Sequence, residues 1–180
     1  HNGFDSELIA DLNQTKKISN QIVFVGNLKR FGKDRGIDQL LKVFSIDDIS
    51  NRYSLKIIGG PQDEAIKLRK EVKKLKLDNS IKVLGRLQRK ETLKIVSESE
   101  IGVLINSDGD THSRLYTSPL KYFEYLACNL KIVAVDFMSH RVLPGHELIN
   151  FFEYNNLSSF ANALKDEHKI DKNFQILQFS

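Results

Sequence analysis

Six times along the chain a short run of mostly apolar residues gives way to a stretch that is polar or has apolar positions recurring every three or four. The runs are residues 21–26 (QIVFVG), 53–58 (YSLKII), 81–84 (IKVL), 101–105 (IGVLI), 131–135 (KIVAV) and 150–154 (NFFEY). Short β-branched runs of this kind, closed by Gly, Asn or Asp, are expected of strands buried on both faces. Between them, Ile37, Leu40, Leu41 and Phe44 mark one helix face, and Ala65, Leu68, Val72 and Leu75 a second. Residues 89–97 predict another helix, and 158–165 a last one with Phe160, Ala161 and Leu164 inward. Strand and helix in alternation predict an α/β domain built on a doubly wound parallel sheet, spanning 21–180, with 1–20 as a polar lead-in. Ligands of such sheets sit beyond the carboxyl ends of the strands. Binding groups are therefore expected in the loops after Gly26, Gly59, Gly85 and Asn106, and at the turn around Ser118.

That last turn opens the most informative stretch, residues 118–130 (SPLKYFEYLACNL). Ser118 suits an N-cap and Pro119 a first helical position, so a helix is expected from 119. Leu120, Phe123 and Ala127, with Leu126 alongside, predict its buried stripe, and Asn129 can take the left-handed turn that ends it. Lys121 sits where the helix dipole favours an acid, a conflict that a bound anion would remove. Glu124, one turn on, could accept hydrogen bonds from sugar hydroxyls. The alternative reading is a solvated Lys121–Glu124 pair that contributes little.

Composition narrows the classes. The 180 residues are 41% hydrophobic, enough for one sizeable core, and no run approaches the roughly twenty apolar residues of a membrane span. The chain starts at His1 without a secretory signal pattern, and we expect it to be part of something longer. A net charge of +4 and a pI near 9.1 point weakly to anionic partners. The single cysteine, Cys128, allows no internal disulfide and is expected to be packing.

The loop after the first strand carries Lys29, Arg30, Lys33 and Arg35 among Gly26, Gly32 and Gly36. Cations and flexible backbone are what a diphosphate needs, and Arg35, at the mouth of the next helix, is the first candidate. The alternative is a solvated basic loop. Neither the P-loop nor the G-x-G-x-x-G fingerprint is present. Asp108-Gly109-Asp110 resembles a metal-holding D-x-D, but no EF-hand continuation follows, and we expect no metal. His112, His140 and His146 share no ligand spacing and are expected at the surface or in loops. A G-x-S-x-G hydrolase elbow is absent, and no nucleic-acid motif appears, so no nucleic acid is expected as partner.

Taken together, the chain resembles the C-terminal, donor-binding domain of a GT-B glycosyltransferase, similar to glycosyltransferase family 4, over nearly its whole length. Asn2-Gly3-Phe4-Asp5 resembles the entry to that domain. Val25-Gly26 with Arg35-Gly36-Ile37 resembles its first strand, phosphate loop and helix. Residues 57–61 (IIGGP) and 83–86 (VLGR) resemble its next strand ends, and 118–127 resembles the S-P-L-K-x-x-E-Y-x-A form of its E-x7-E segment.

The resemblance implies a Rossmann-like half of a two-domain enzyme. It implies a retaining transfer of a sugar from a nucleoside diphosphate to a glycan or lipid acceptor held by an N-terminal domain, without metal or other cofactor. Glu124 would bind the donor ribose. Lys121, with the backbone at Ser118 and Leu120, would bind the diphosphate. Arg35 and Gly26 would assist there, and Lys29, Arg30 or Lys33 would replace the arginine that the family usually has where Asn27 stands. The backbone at Gly85, Arg86 and Leu87 would meet the base. Tyr116 occupies the place of the family's first Glu, at the donor sugar. The parent is expected in the cytoplasm, with a peripheral membrane contact suggested by its basic charge, and this fragment is expected to transfer nothing alone. A GT-B-type sugar-nucleotide epimerase and a non-catalytic nucleotide- or phosphate-binding module are the alternatives.

Overall fold

The computed structural model describes residues 15–30, 33–108 and 120–167. Strand β1 (Gln21–Val25) lies in the middle of a six-stranded parallel sheet with β4 (Ser54–Ile58), β5 (Ile81–Gly85), β6 (Ile101–Leu104), β7 (Lys131–Val135) and β8 (Ile149–Phe152). The order across the sheet is β5-β4-β1-β6-β7-β8, so the chain winds outward one way from β1 and then the other. That is the doubly wound arrangement expected from the sequence, with its reversal between β1 and β6. Register places Val25 beside Ile58 and Ile22 beside Ile101. A two-stranded hairpin, β2 (Lys29–Arg30) with β3 (Lys33–Asp34), stands apart from this sheet.

The helices are α1 (Ile37–Phe44), α2 (Asp47–Arg52), α3 (Gln62–Lys74), α4 (Arg89–Glu98), α5 (Leu120–Ala127), α6 (Met138–Arg141) and α7 (Leu157–Lys165). Alternate residues of β1 feed two cores, because side chains of a strand point to opposite faces. Ile22 and Phe24 join α1, α2, α3 and α7 on one face. Val23 and Ile58 join α4 and α5 on the other, where Val96, Tyr122, Tyr125 and Cys128 are buried. The apolar faces of α1 and α7 are buried as their spacing predicts. On α3, Ala65, Leu68 and Val72 are buried, whereas Leu75 lies past the helix end and is exposed.

Helix α5 corrects the expectation of its buried stripe. Leu120 is 58% exposed, and Phe123 and Leu126 are only half-buried, while Tyr122, Glu124, Tyr125 and Ala127 are buried. The tyrosines can go inward because their hydroxyls are partnered: Tyr122 donates to the Pro144 carbonyl at 2.6 Å, and Tyr125 accepts from the Val25 N–H at 3.1 Å. The expected helix start at Pro119 lies outside the described residues, and Asn129 takes the left-handed conformation, φ 53°.

Cys128 is buried against this helix, and burial pushes its thiol up to about 11. His140 is a second correction, for it is fully buried rather than at the surface. Its Nδ1 lies 2.7 Å from the Val135 carbonyl at the end of β7.

Candidate functional site

A cavity of about 500 Å³ opens at the carboxyl end of the sheet, over the reversal between β1 and β6. Gly26 and Asn27 after β1, Gly59 and Gly60 after β4, Arg86 and Leu87 after β5, and Leu104 to Asn106 at β6 all contribute to its wall. Helices add Arg89 and Thr92 from α4, Lys121 and Glu124 from α5, and His140 from α6.

Part of this wall is bare backbone. The Gly26 N–H bonds the Ile58 carbonyl at 3.0 Å, and the Gly59 N–H bonds the Gly85 carbonyl at 2.9 Å. Gly59 runs so close to Gly26 that a Cβ there would fall 1.7 Å from the Gly26 carbonyl oxygen, so only glycine fits. Gly36 is left-handed (φ 85°) and lies against Asn106, with room for no Cβ. That turn sets Arg35 beside Asn106, whose Oδ1 accepts a hydrogen bond from the guanidinium.

Glu124 is the site's buried charge. Its side chain is 9% exposed, with Lys121 Nζ 2.7 Å from Oε2 and Arg89 Nη1 3.6 Å from Oε1. A carboxylate taken this far out of water persists only with such partners. Each oxygen still has lone-pair capacity for neutral donors such as hydroxyls. With Arg35 and Arg86 also in the wall, the cavity carries four cationic side chains against one carboxylate, which favours an anionic ligand able to offer hydroxyls as well.

The sequence-predicted residues separate. Gly26, Arg35, Arg86, Leu87, Lys121 and Glu124 meet in this cavity. Gly85 stands just behind it, left-handed at φ 80°. Lys29 lies outside the lining and forms an ion pair with Glu64 at 3.4 Å, and the exposed Leu120 also lies outside it. Arg30 and Lys33 pair across the hairpin by their backbones, and their side chains fall outside the described residues. Ser118, Tyr116, His112 and most of the 108–110 loop fall outside them as well. Arg89 and His140 belong to the site without having been predicted. Arg89 stands on the first turn of a helix that a capping box from Gln88 to Glu91 opens toward the cavity. That signature was available in the sequence, but nothing in it says that this turn faces Glu124. Among the described residues no group of three or more His, Cys, Asp or Glu side chains is placed to hold a metal ion. None of their helices is long and apolar enough to cross a membrane.

A comparison with curated protein sequences finds no match. Solved structures share the fold at low identity. The crystal structure of WaaG, a glycosyltransferase of lipopolysaccharide biosynthesis, superposes with a TM-score of 0.60 at 13% identity, over 90% of this chain and 42% of WaaG. Anabaena HepE, crystallised with UDP and glucose, gives 0.65 at 17% identity, over 92% of this chain and 45% of HepE. The C-terminal domain of LpcC, a group 1 family glycosyl transferase of Francisella tularensis, gives 0.61 at 16%, over 90% of this chain and 80% of that domain. The chain thus spans under half the length of WaaG and HepE. The sequence model of the group 1 glycosyl transferases matches residues 19–167, which include every described strand and helix and the whole of the cavity wall, and the chain belongs to that family.

Proposed function

We propose that this domain binds a nucleoside-diphosphate sugar and serves as the donor half of a retaining glycosyltransferase, whose acceptor is a glycan or lipid held by a further, N-terminal domain. The observation that carries the reading is Glu124: a buried carboxylate flanked by Lys121 and Arg89 in a cavity at the switch of strand order. A ribose diol is the neutral donor pair that such a carboxylate accepts. The diphosphate then lies over Gly26 toward Arg35 and Lys121, and the base lies toward Arg86 and Leu87. HepE, which shares the fold, was crystallised with UDP and glucose, which makes uridine the first base to test. Hexosyl transfer in polysaccharide biosynthesis, cytoplasmic and peripheral to a membrane, is the setting that fits a basic domain with this cavity.

Calorimetric titration with UDP and GDP tests the reading. One nucleotide binds, and Glu124→Ala and Lys121→Ala each weaken it by about 1–3 kcal/mol through lost charged hydrogen bonds. No binding of either nucleotide at millimolar concentration to the folded protein overturns it.

A further inference from the structure

Among the described residues, His140 Nε2 is the one buried side-chain nitrogen or oxygen of the cavity wall that lacks a hydrogen-bond partner. The ring's Nδ1 lies 2.7 Å from the Val135 carbonyl oxygen, which can only accept, so Nδ1 carries the hydrogen. Burial holds the ring neutral by lowering its pKa. Nε2 is therefore a bare lone pair, and it is buried without a hydrogen-bond partner. The Phe137 ring, parallel to the imidazole at 6.4 Å between centroids, offers it nothing polar. Buried acceptors are almost always paired, and this one lies in the wall of a ligand-sized cavity.

We propose that His140 Nε2 accepts a hydrogen bond from a hydroxyl of the donor's transferred sugar and so helps to select that sugar. The inference rests on the donor-binding reading above and extends it to a part of the ligand that Glu124 does not reach. The strand order gives the direction. Arg86 and Leu87 follow β5, Gly26 follows β1, and His140 hangs from the end of β7, four strand positions from β5, or roughly 19 Å along the sheet edge. A donor with its base at the β5 end and its phosphates over β1 carries its sugar on toward β6 and β7. The chemistry gives the partner: a phosphate oxygen would repel the lone pair, whereas a sugar hydroxyl can donate to it. Because Nε2 is buried beneath the surface of the cavity wall, the sugar must displace the wall over the ring to reach it.

The test uses protein labelled with ¹⁵N-histidine, followed by NMR as UDP, GDP, UDP-glucose, UDP-N-acetylglucosamine and GDP-mannose are added in turn. His140 should show protonated Nδ1 and unprotonated Nε2. The Nε2 signal should move with at least one sugar nucleotide and stay in place with the matching nucleoside diphosphate. His140→Phe should then lower affinity for that sugar nucleotide about tenfold while leaving the nucleoside diphosphate unaffected. An Nε2 signal blind to every sugar, or a variant that binds nucleotide and sugar nucleotide equally less well, overturns the role of His140 and leaves the donor site standing. Failure of both UDP and GDP to bind overturns both. If His140→Phe does not fold, the signal of the native ring decides.

Discussion

The hydroxyl of Tyr125 accepts a hydrogen bond from the backbone N–H of Val25 at 3.1 Å, which ties the helix carrying Lys121 and Glu124 to the last residue of the central strand. Gly102 on the neighbouring strand leaves space for that ring, since a Cβ there would lie 2.4 Å from it. The position of the carboxylate over the cavity thus follows from a phenol seated on bare backbone.

Replacing Tyr125 by Phe removes the acceptor while keeping the ring, so the part-buried Val25 N–H loses its partner. The expected loss of stability is about 1–3 kcal/mol. Urea unfolding should show a lower midpoint with an unchanged slope. An unmoved midpoint would mean that water or another group satisfies this amide.

Gly59 and Gly60 should respond very unequally to alanine although they are adjacent. At Gly59 the new methyl meets a backbone oxygen that cannot rotate away, and we expect a loss near the upper end of the overpacking range, about 3 kcal/mol. At Gly60 the nearest atoms are 3.8 Å off, and the change should stay within about 0.5 kcal/mol. Denaturant unfolding of the two variants side by side checks the contrast, and equal effects would contradict the backbone contact.

Acid should weaken the fold through His140 before it reaches the carboxylates. Burial sets the pKa of this ring below its ordinary 6.5, with Asp136 and the Val135 carbonyl opposing that shift. As pH falls below about 6.5 the unfolded chain takes up a proton that the folded chain refuses, so stability drops with falling pH, down to the folded-state pKa. Asp136, held low by Arg141, loses its contribution only as pH falls below the ordinary carboxylate range. Thermal unfolding at pH 7.5 and pH 5.5 should show the loss, and His140→Gln should reduce it; an equal slope in that variant would assign the loss elsewhere.

The sheet was legible because its strands are near-continuous apolar runs closed by turn residues, a pattern that survives without tertiary information. Helix α2 was not, since its sequence DDISNR buries Ile49 alone and gives no stripe to find. The inward face of α5 departs from its aliphatic spacing for a chemical reason. Hydrophobicity ranks Leu120 and Phe123 above tyrosine, yet Tyr122 and Tyr125 can be buried because their hydroxyls reach partners distant in sequence.

The candidate site was legible only in part. Arg35, Lys121 and Glu124 stand out by local conflict or spacing. Arg89 and His140 enter only because the fold brings a helix start and a strand end to them, at separations that no local pattern encodes.

Where Gly26 and Gly59 touch, the cavity wall consists of main chain. Main-chain groups are the same whichever side chains surround them, so that part of the wall can persist while the arginines and Lys121 around it change residue by residue. What the cavity discriminates can therefore change through its side chains alone, while the main-chain part of its wall stays as it is.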